Sequence, residues 1–177
     1  MLLQVARLGN PVLRKKAKAF TPEGARAAET QRLIEDMIET MREQDGAGLA
    51  APQVHVSKRL VVIETREPNP RYPGEPRVPL TVLINPELTR RSREMAEDWE
   101  GCLSLPDWRG LVPRHQAVAG KALDRQGRVI EFEAEGFSAR VIQHELDHLD
   151  GIVFIDRMKD FSSLGYCSEL NRRSQED

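Results

Sequence analysis

The chain has 177 residues, 40% hydrophobic and 31% charged, which suits one compact folded unit with a sizeable core and excludes a disordered segment. Its net charge of -2 and sequence pI near 6.1 leave no global basic field that would make nucleic acid its main ligand. No stretch approaches the ~20 consecutive apolar residues that span a bilayer.

Met1 to Leu8 is mildly apolar but interrupted by Gln4 and Arg7, and the basic cluster Arg14, Lys15, Lys16 and Lys18 comes after it. A signal peptide has the opposite order. The expected location is therefore the cytoplasm, or an organellar matrix where a transit peptide has been removed. The only cysteines are Cys102 and Cys167. In such a chain both thiols are expected to stay reduced, so each is packing, a reactive thiol or a metal ligand.

No internal repeat is present. Asn10-Pro11 opens a short basic segment, Val12 to Ala19, suited to one or two helical turns. Thr21-Pro22-Glu23 carries the signals of a helix start: a capping hydroxyl, proline at the first helical position, then an acid. From about Ala25 to Glu43, Leu33, Ile34, Met37, Ile38 and Met41 fall on one helix face. The glycines and proline of Asp45 to Gln53 break that helix. Arg59 to Glu64 and Leu80 to Asn85 read as strands, and the proline-rich stretch Arg66 to Pro79 between them as a loop.

Arg90 to Glu100 is expected to form an exposed hairpin. Val118 to Leu123 and Val129 to Ala134 flank a turn at Asp124 to Gly127 and form another. From Ser138 to Leu149 the apolar positions return to helical spacing, with Ser138 as the expected cap and Gly151 as the stop. An N-terminal helix, a middle of strands and a late helix make an α+β order.

His144-Glu145-Leu146-Asp147-His148 lies in that late helix. Side chains four apart stack on one face, so both imidazoles can grip one ion. Glu145, displaced around the helix, can take a proton from a water activated by the ion and return it to a leaving group. A catalytic site of this type takes three protein ligands. The extension HExxHxxGxxH finds Gly151 in place but ends on Phe154, which cannot ligate. Glu169 downstream and Cys102 upstream remain as candidates. A metallo-endopeptidase using Glu169, and a module whose metal is only structural, both stay open on these residues.

Three segments resemble the peptide deformylases: GAGLAAPQ (Gly46 to Gln53), EGCLS (Glu100 to Ser104) and QHELDH (Gln143 to His148). Their order and spacing are similar to that family's, and the likeness covers nearly the whole chain, including the opening LQVARLGNPVLRKKA. It is weak after Met158, so the expectation is one catalytic domain, 1–177, with a weakly matched tail at 160–177.

The resemblance implies that Cys102, His144 and His148 bind the metal and that Glu145 is the general acid/base. It also implies an oxyanion hole formed by the Gln53 side chain and the Leu103 backbone N–H. The reaction would be removal of the formyl group, as formate, from the N-formylmethionine of new polypeptides. One divalent ion per chain is implied, Fe(II) in cells, with Zn(II), Ni(II) or Co(II) able to stand in. The implied fold is a compact α+β domain, antiparallel strands around a central helix bearing HExxH, with an N-terminal helix.

Gly46 and Gly48 would let a peptide approach closely and pair by strand addition. The resemblance places Arg109 where the family has a residue near the substrate entrance, contacting the substrate backbone or pairing with Glu100; a solvated arginine is the alternative. Phe137 and Val141 are expected in the methionine pocket, with Arg140 rimming it or pointing outward. Cys167, His55 and His115 are expected to be packing, surface or hydrogen-bonded residues. The implied partners are N-formylmethionyl nascent peptides, with a transient ribosome contact left open, no membrane and no specific nucleic acid.

Overall fold

The computed structural model describes residues 1–66, 71 and 74–176, with side chains as far as residue 172. The Asn10 side chain accepts from the Val12 N–H and starts a single 3-10 turn, Pro11–Arg14. The rest of the basic segment is not helical, and Lys18 bridges to Lys58 in extended form. Thr21 caps α1 (Pro22–Arg26) by accepting from the Gly24 N–H, with proline in the first turn as expected.

The expected continuous helix is two helices. Ala27 is extended, with ψ 141°, and α2 (Ala28–Glu43) begins after it. The Gly24 and Ala25 carbonyls accept from Thr30 Oγ and Gln31 Nε2, which satisfies the end of α1 without continuing it.

Next come β1 (Gly48–Ala50), a 3-10 turn at Ala51–Val54, β2 (Leu60–Thr65) and β3 (Val78–Arg91). They are followed by β4 (Met95–Cys102), β5 (Leu105–His115), β6 (Ala117–Leu123), β7 (Val129–Glu135), α3 (Gly136–Leu149), β8 (Gly165–Tyr166) and α4 (Cys167–Glu176). All strand pairs are antiparallel, in a five-stranded sheet β1-β2-β3-β6-β7 and a three-stranded sheet β4-β5-β8. The fold is α+β, as expected.

Side-chain alternation along β2 explains how α3 comes to be central. Val61 and Ile63 pack with Ala139, Val141, Ile142 and Leu146 of α3. Leu60 and Val62 pack with Ile34, Met37, Ile38 and Met41 of α2. The larger sheet thus has a helix on each face, and β2, buried on both sides, reads in sequence as an unbroken apolar run. The three-stranded sheet contributes Cys102, Leu105 and Val112 to a third cluster with Val153 and Phe154.

β3 is longer than the expected Leu80 to Asn85, because its prolines sit at irregularities in the ladder. Register shifts lie between Ile63 and Thr65 opposite Pro79, and between Ile84 and Glu87 around Pro86. Val78 and Pro79 are thus strand rather than loop. Of the loop itself, residues 67–70, 72 and 73 lie outside the described residues.

The hairpin expected at Arg90 to Glu100 does not form. β3 and β4 belong to different sheets, and β4 pairs instead with β5, turning at Leu103 and Ser104. The hairpin of β6 and β7 is as expected.

α3 starts two residues before Ser138, whose hydroxyl donates to the Glu135 carbonyl and so is not the cap. It ends as the sequence indicates. Gly151, with φ +74°, donates to the His148 carbonyl, and the Ile152 N–H reaches back to the Asp147 carbonyl. A side chain at Gly151 would also meet the Arg14 carbonyl oxygen at 2.7 Å. No helix among the described residues is long and apolar enough to cross a membrane.

Candidate metal centre

The apolar residues of α3 face the large sheet, which leaves Arg140, His144, Asp147 and His148 on its other side. His144 and His148 are both buried, with ring centroids 5.0 Å apart. The turn between β4 and β5 delivers Cys102 to the same place. Its Sγ lies 3.3 Å from His148 Nε2, and the ligand atoms of Cys102, His144 and His148 all lie within 4.8 Å of one another.

Electrostatics favour a cation at this point. Burial pushes the Cys102 thiol up, but the neighbouring His148 and His144 outweigh it and hold the thiol well below its usual range. Burial likewise disfavours charge on His144, and Cys102 and Glu100 override it, raising His144 well above an ordinary histidine. A soft thiolate beside two imidazoles is a donor set for Fe(II), Co(II), Ni(II) or Zn(II). Glu145 Oε2, buried on the same helix, has no hydrogen-bond partner among the described residues, which suits a carboxyl that acts on a ligand of this site. The donors fit a divalent ion.

Glu145 is buried, and desolvation, with Cys102 and Glu100 adding to it, raises its carboxyl to about 7. Gln53 sits in the 3-10 turn after β1. Its Oε1 accepts from the Ala50 N–H at 2.8 Å, which turns its NH₂ toward Cys102 Sγ at 3.4 Å and Ser104 Oγ at 3.2 Å. A narrow cleft opens above these groups, lined by Gly46, Gly48, Gln53, Leu103, Phe137, Arg140, Val141 and Glu145 among others. β1 is the edge strand beside it.

Comparison with known proteins gives the family. The model of the polypeptide deformylases matches residues 2–163. The chain belongs to the polypeptide deformylase family. It is 46% identical over 176 residues to peptide deformylase 2 of a Nostoc species, covering 99% of this chain and 92% of that protein. It is 45% identical over 170 residues to peptide deformylase 1 of Nitrosomonas europaea, covering 96% and 95%. Among solved structures it is similar to the Met-Ala-Ser-bound class I type b peptide deformylase of Acinetobacter baumannii, with a TM-score of 0.86 and 42% identity over 89% of this chain and 99% of that one. The peptide deformylase of Thermotoga maritima gives 0.78 and 38%, over 90% and 99%. The chain is thus a metallo-hydrolase that removes the N-formyl group from nascent peptides.

Within this deformylase, the alternative ligand Glu169 is excluded by position: it is exposed on α4 and paired with Arg172. Phe154, where an extended zinc motif would place histidine, is fully buried and stacks on the His144 ring at 6.3 Å. Arg109 does not pair with Glu100. It lies on β5 opposite Gly101 and donates to the Arg71 carbonyl. Arg140 points neither outward nor into solvent but is buried against Glu100.

The sequence reading missed the charged network behind the metal helix. Glu100 accepts from Arg114 Nε and Nη2 at 2.8 and 3.0 Å, from Arg140 Nη1 at 2.9 Å, and faces His144 Nδ1 at 2.8 Å. Arg114 also donates to Asp147 at 2.6 Å, and Arg157 holds Asp147 from outside. Arg114 shares the strand parity of buried Val112, and Arg140 lies one turn before His144. An inward arginine at a core position was the available signal, since it demands a buried acid.

Gly48 has a second role that was not anticipated. A methyl group there would fall 2.5–2.8 Å from the Glu145 side chain, so the bare backbone is what gives the carboxyl its place.

Proposed function

We propose that one divalent ion, Fe(II) in the cell, is held by Cys102, His144 and His148, and that Glu145 is the general acid/base for deformylation. The observation that carries this reading is the convergence of those three donors beside a buried carboxyl, one oxygen of which has no partner among the described residues. When bound, the ion supplies Lewis acidity that favours hydroxide-like attack near neutral pH. A carboxyl near 7 can accept a proton from the attacking water and return it to the leaving amine.

The Gln53 amide and the Leu103 N–H are the donors for the charge that develops on the formyl oxygen. Ala50 fixes which end of the Gln53 amide faces the site, so that it presents N–H rather than oxygen there. Phe137 and Val141 supply the apolar wall for the methionine side chain. The peptide main chain adds as a strand along the free edge of β1, past Gly46 and Gly48, and Arg109 steadies the entrance through Arg71. Met-Ala-Ser, bound by the Acinetobacter relative, is what formyl-Met-Ala-Ser becomes on losing its formyl group. It is a natural test substrate.

Residues 1–177 act as one catalytic domain in the cytoplasm, with 160–177 the least family-like part. The partners are N-formylmethionyl nascent peptides, met through transient contact with the ribosome and without specific nucleic-acid recognition. The test is formate release from formyl-Met-Ala-Ser by protein loaded anaerobically with Fe(II). Formate release that disappears in Glu145→Gln supports the reading. No release from fully loaded wild-type protein would reject it.

A further inference from the structure

Glu100 has more cationic company than orienting one histidine requires. Its Oε1 accepts from both Arg114 Nε and Arg140 Nη1, and its Oε2 from Arg114 Nη2 and His144 Nδ1. Arg114 already meets the carboxylate through two bonds and shares its charge with Asp147. Arg140 is fastened at both terminal nitrogens: Nη1 also donates to the Val112 carbonyl at 2.7 Å, and Nη2 to the Ala96 carbonyl at 2.8 Å. These contacts tie α3 to β4 and β5 at the carboxylate and prevent it from turning away from the imidazole. With its Nδ1–H held by Glu100, His144 is left with Nε2 as its lone-pair donor.

The same Arg140 lines the cleft beside Phe137 and Val141. Both its terminal nitrogens are engaged by Glu100, Val112 and Ala96, so it offers an occupant bulk more than charge.

We propose that Arg140 is a positioning residue that clamps Glu100, and thereby the metal-binding tautomer of His144, while its bulk forms a wall of the substrate cleft. The second half rests on the proposed use of that cleft for the residue bearing the formyl group. The two roles separate by substitution. Arg140→Met keeps length and bulk but loses every donor, Arg140→Lys keeps charge with a different donor geometry, and Arg140→Ala loses all of these.

The experiment compares these variants with wild type in zinc affinity, measured by competition with a chromophoric chelator, and in the ¹⁵N resonances of the His144 ring. KM for formyl-Met-Ala-Ser is measured with the metal saturating. Arg140→Met should weaken zinc binding about 10–100-fold, as loss of a partner behind a ligand does. It should also shift the His144 ring from one tautomer to a mixture. Its KM should stay within about threefold of wild type, whereas Arg140→Ala should raise KM as well.

A merely structural role would lower the melting temperature while leaving zinc affinity and the His144 resonances as in wild type, and that result overturns the proposal. If Arg140→Met does not fold, Arg140→Lys decides on the same two measurements: weaker zinc with a changed ring supports the clamp, and wild-type values reject it. Wild-type turnover is followed in parallel. Its absence would count against the cleft assignment alone, because zinc affinity and the ring resonances are read without substrate.

Discussion

Single residues divide into those that would hold the ion and those that would act on substrate. Cys102→Ala should lose the ion from the purified protein, whereas Glu145→Gln should keep a full equivalent of metal and lose roughly 10²–10⁴ in rate; metal analysis beside formate release tests both. Gln53→Ala removes one preorganised donor and should lower kcat about 10²-fold, near 3 kcal/mol, with a smaller change in KM. A larger effect on KM than on kcat would mean that Gln53 binds ground state and transition state alike.

The metal motif was legible in the sequence because its spacing is local: His144 and His148 need only a helix. The position of Cys102 was not legible from residues alone. It depends on a hairpin turn, Cys102 to Leu105, joining strands that the sequence does not advertise. Glu100 was visible as a residue of the EGCLS segment, but its four contacts come from two other elements, β5 and α3.

At the scale of elements, periodicity worked where one face is buried and failed where the chain bends. α2 and β2 follow their apolar patterns, and β6 and β7 follow their turn. β5 carried no strand expectation, since Pro106, Gly110 and Pro113 interrupt a strand pattern, although it pairs along nearly its whole length with β4. β3 was cut short for the same reason, its prolines falling at shifts in register. The break at Ala27 is set by the Thr30 and Gln31 side chains, which satisfy the carbonyls of α1 from the next helix.

The stop of α3 gives a direct test at this scale. Gly151→Ala introduces a side chain at φ +74° and 2.7 Å from the Arg14 carbonyl oxygen, and should destabilise the fold by more than about 1 kcal/mol. Urea denaturation measures it. An unchanged midpoint would show that the loop at Arg14 yields without cost.

At the scale of the whole molecule, charge is concentrated behind the site while the surface holds ordinary ion pairs. Glu64 is held below the usual carboxylate range by its hydrogen bonds to Arg42, at 2.6 and 2.9 Å, despite some burial. A folded pKa below the unfolded one contributes stability that is present above the unfolded value, ~4.3, and is lost as the pH falls through the folded one. Arg42 is 39% exposed, so solvent screening keeps the contribution below about 1 kcal/mol. The stability gap between metal-free wild type and Glu64→Gln should therefore be present at pH 7 and shrink as the pH falls below the ordinary carboxylate range; a gap that widens on acidification would contradict this sign.

The organisation of the molecule comes together at Cys102, where a hairpin of the smaller sheet meets the helix that the larger sheet supports. X-ray absorption at the zinc edge of the zinc-loaded protein tests that meeting most directly. The expected result is one sulfur at about 2.3 Å and two imidazole nitrogens at about 2.0–2.1 Å, with the sulfur lost in Cys102→Ala. A first shell of nitrogen and oxygen only in the wild-type protein would contradict it.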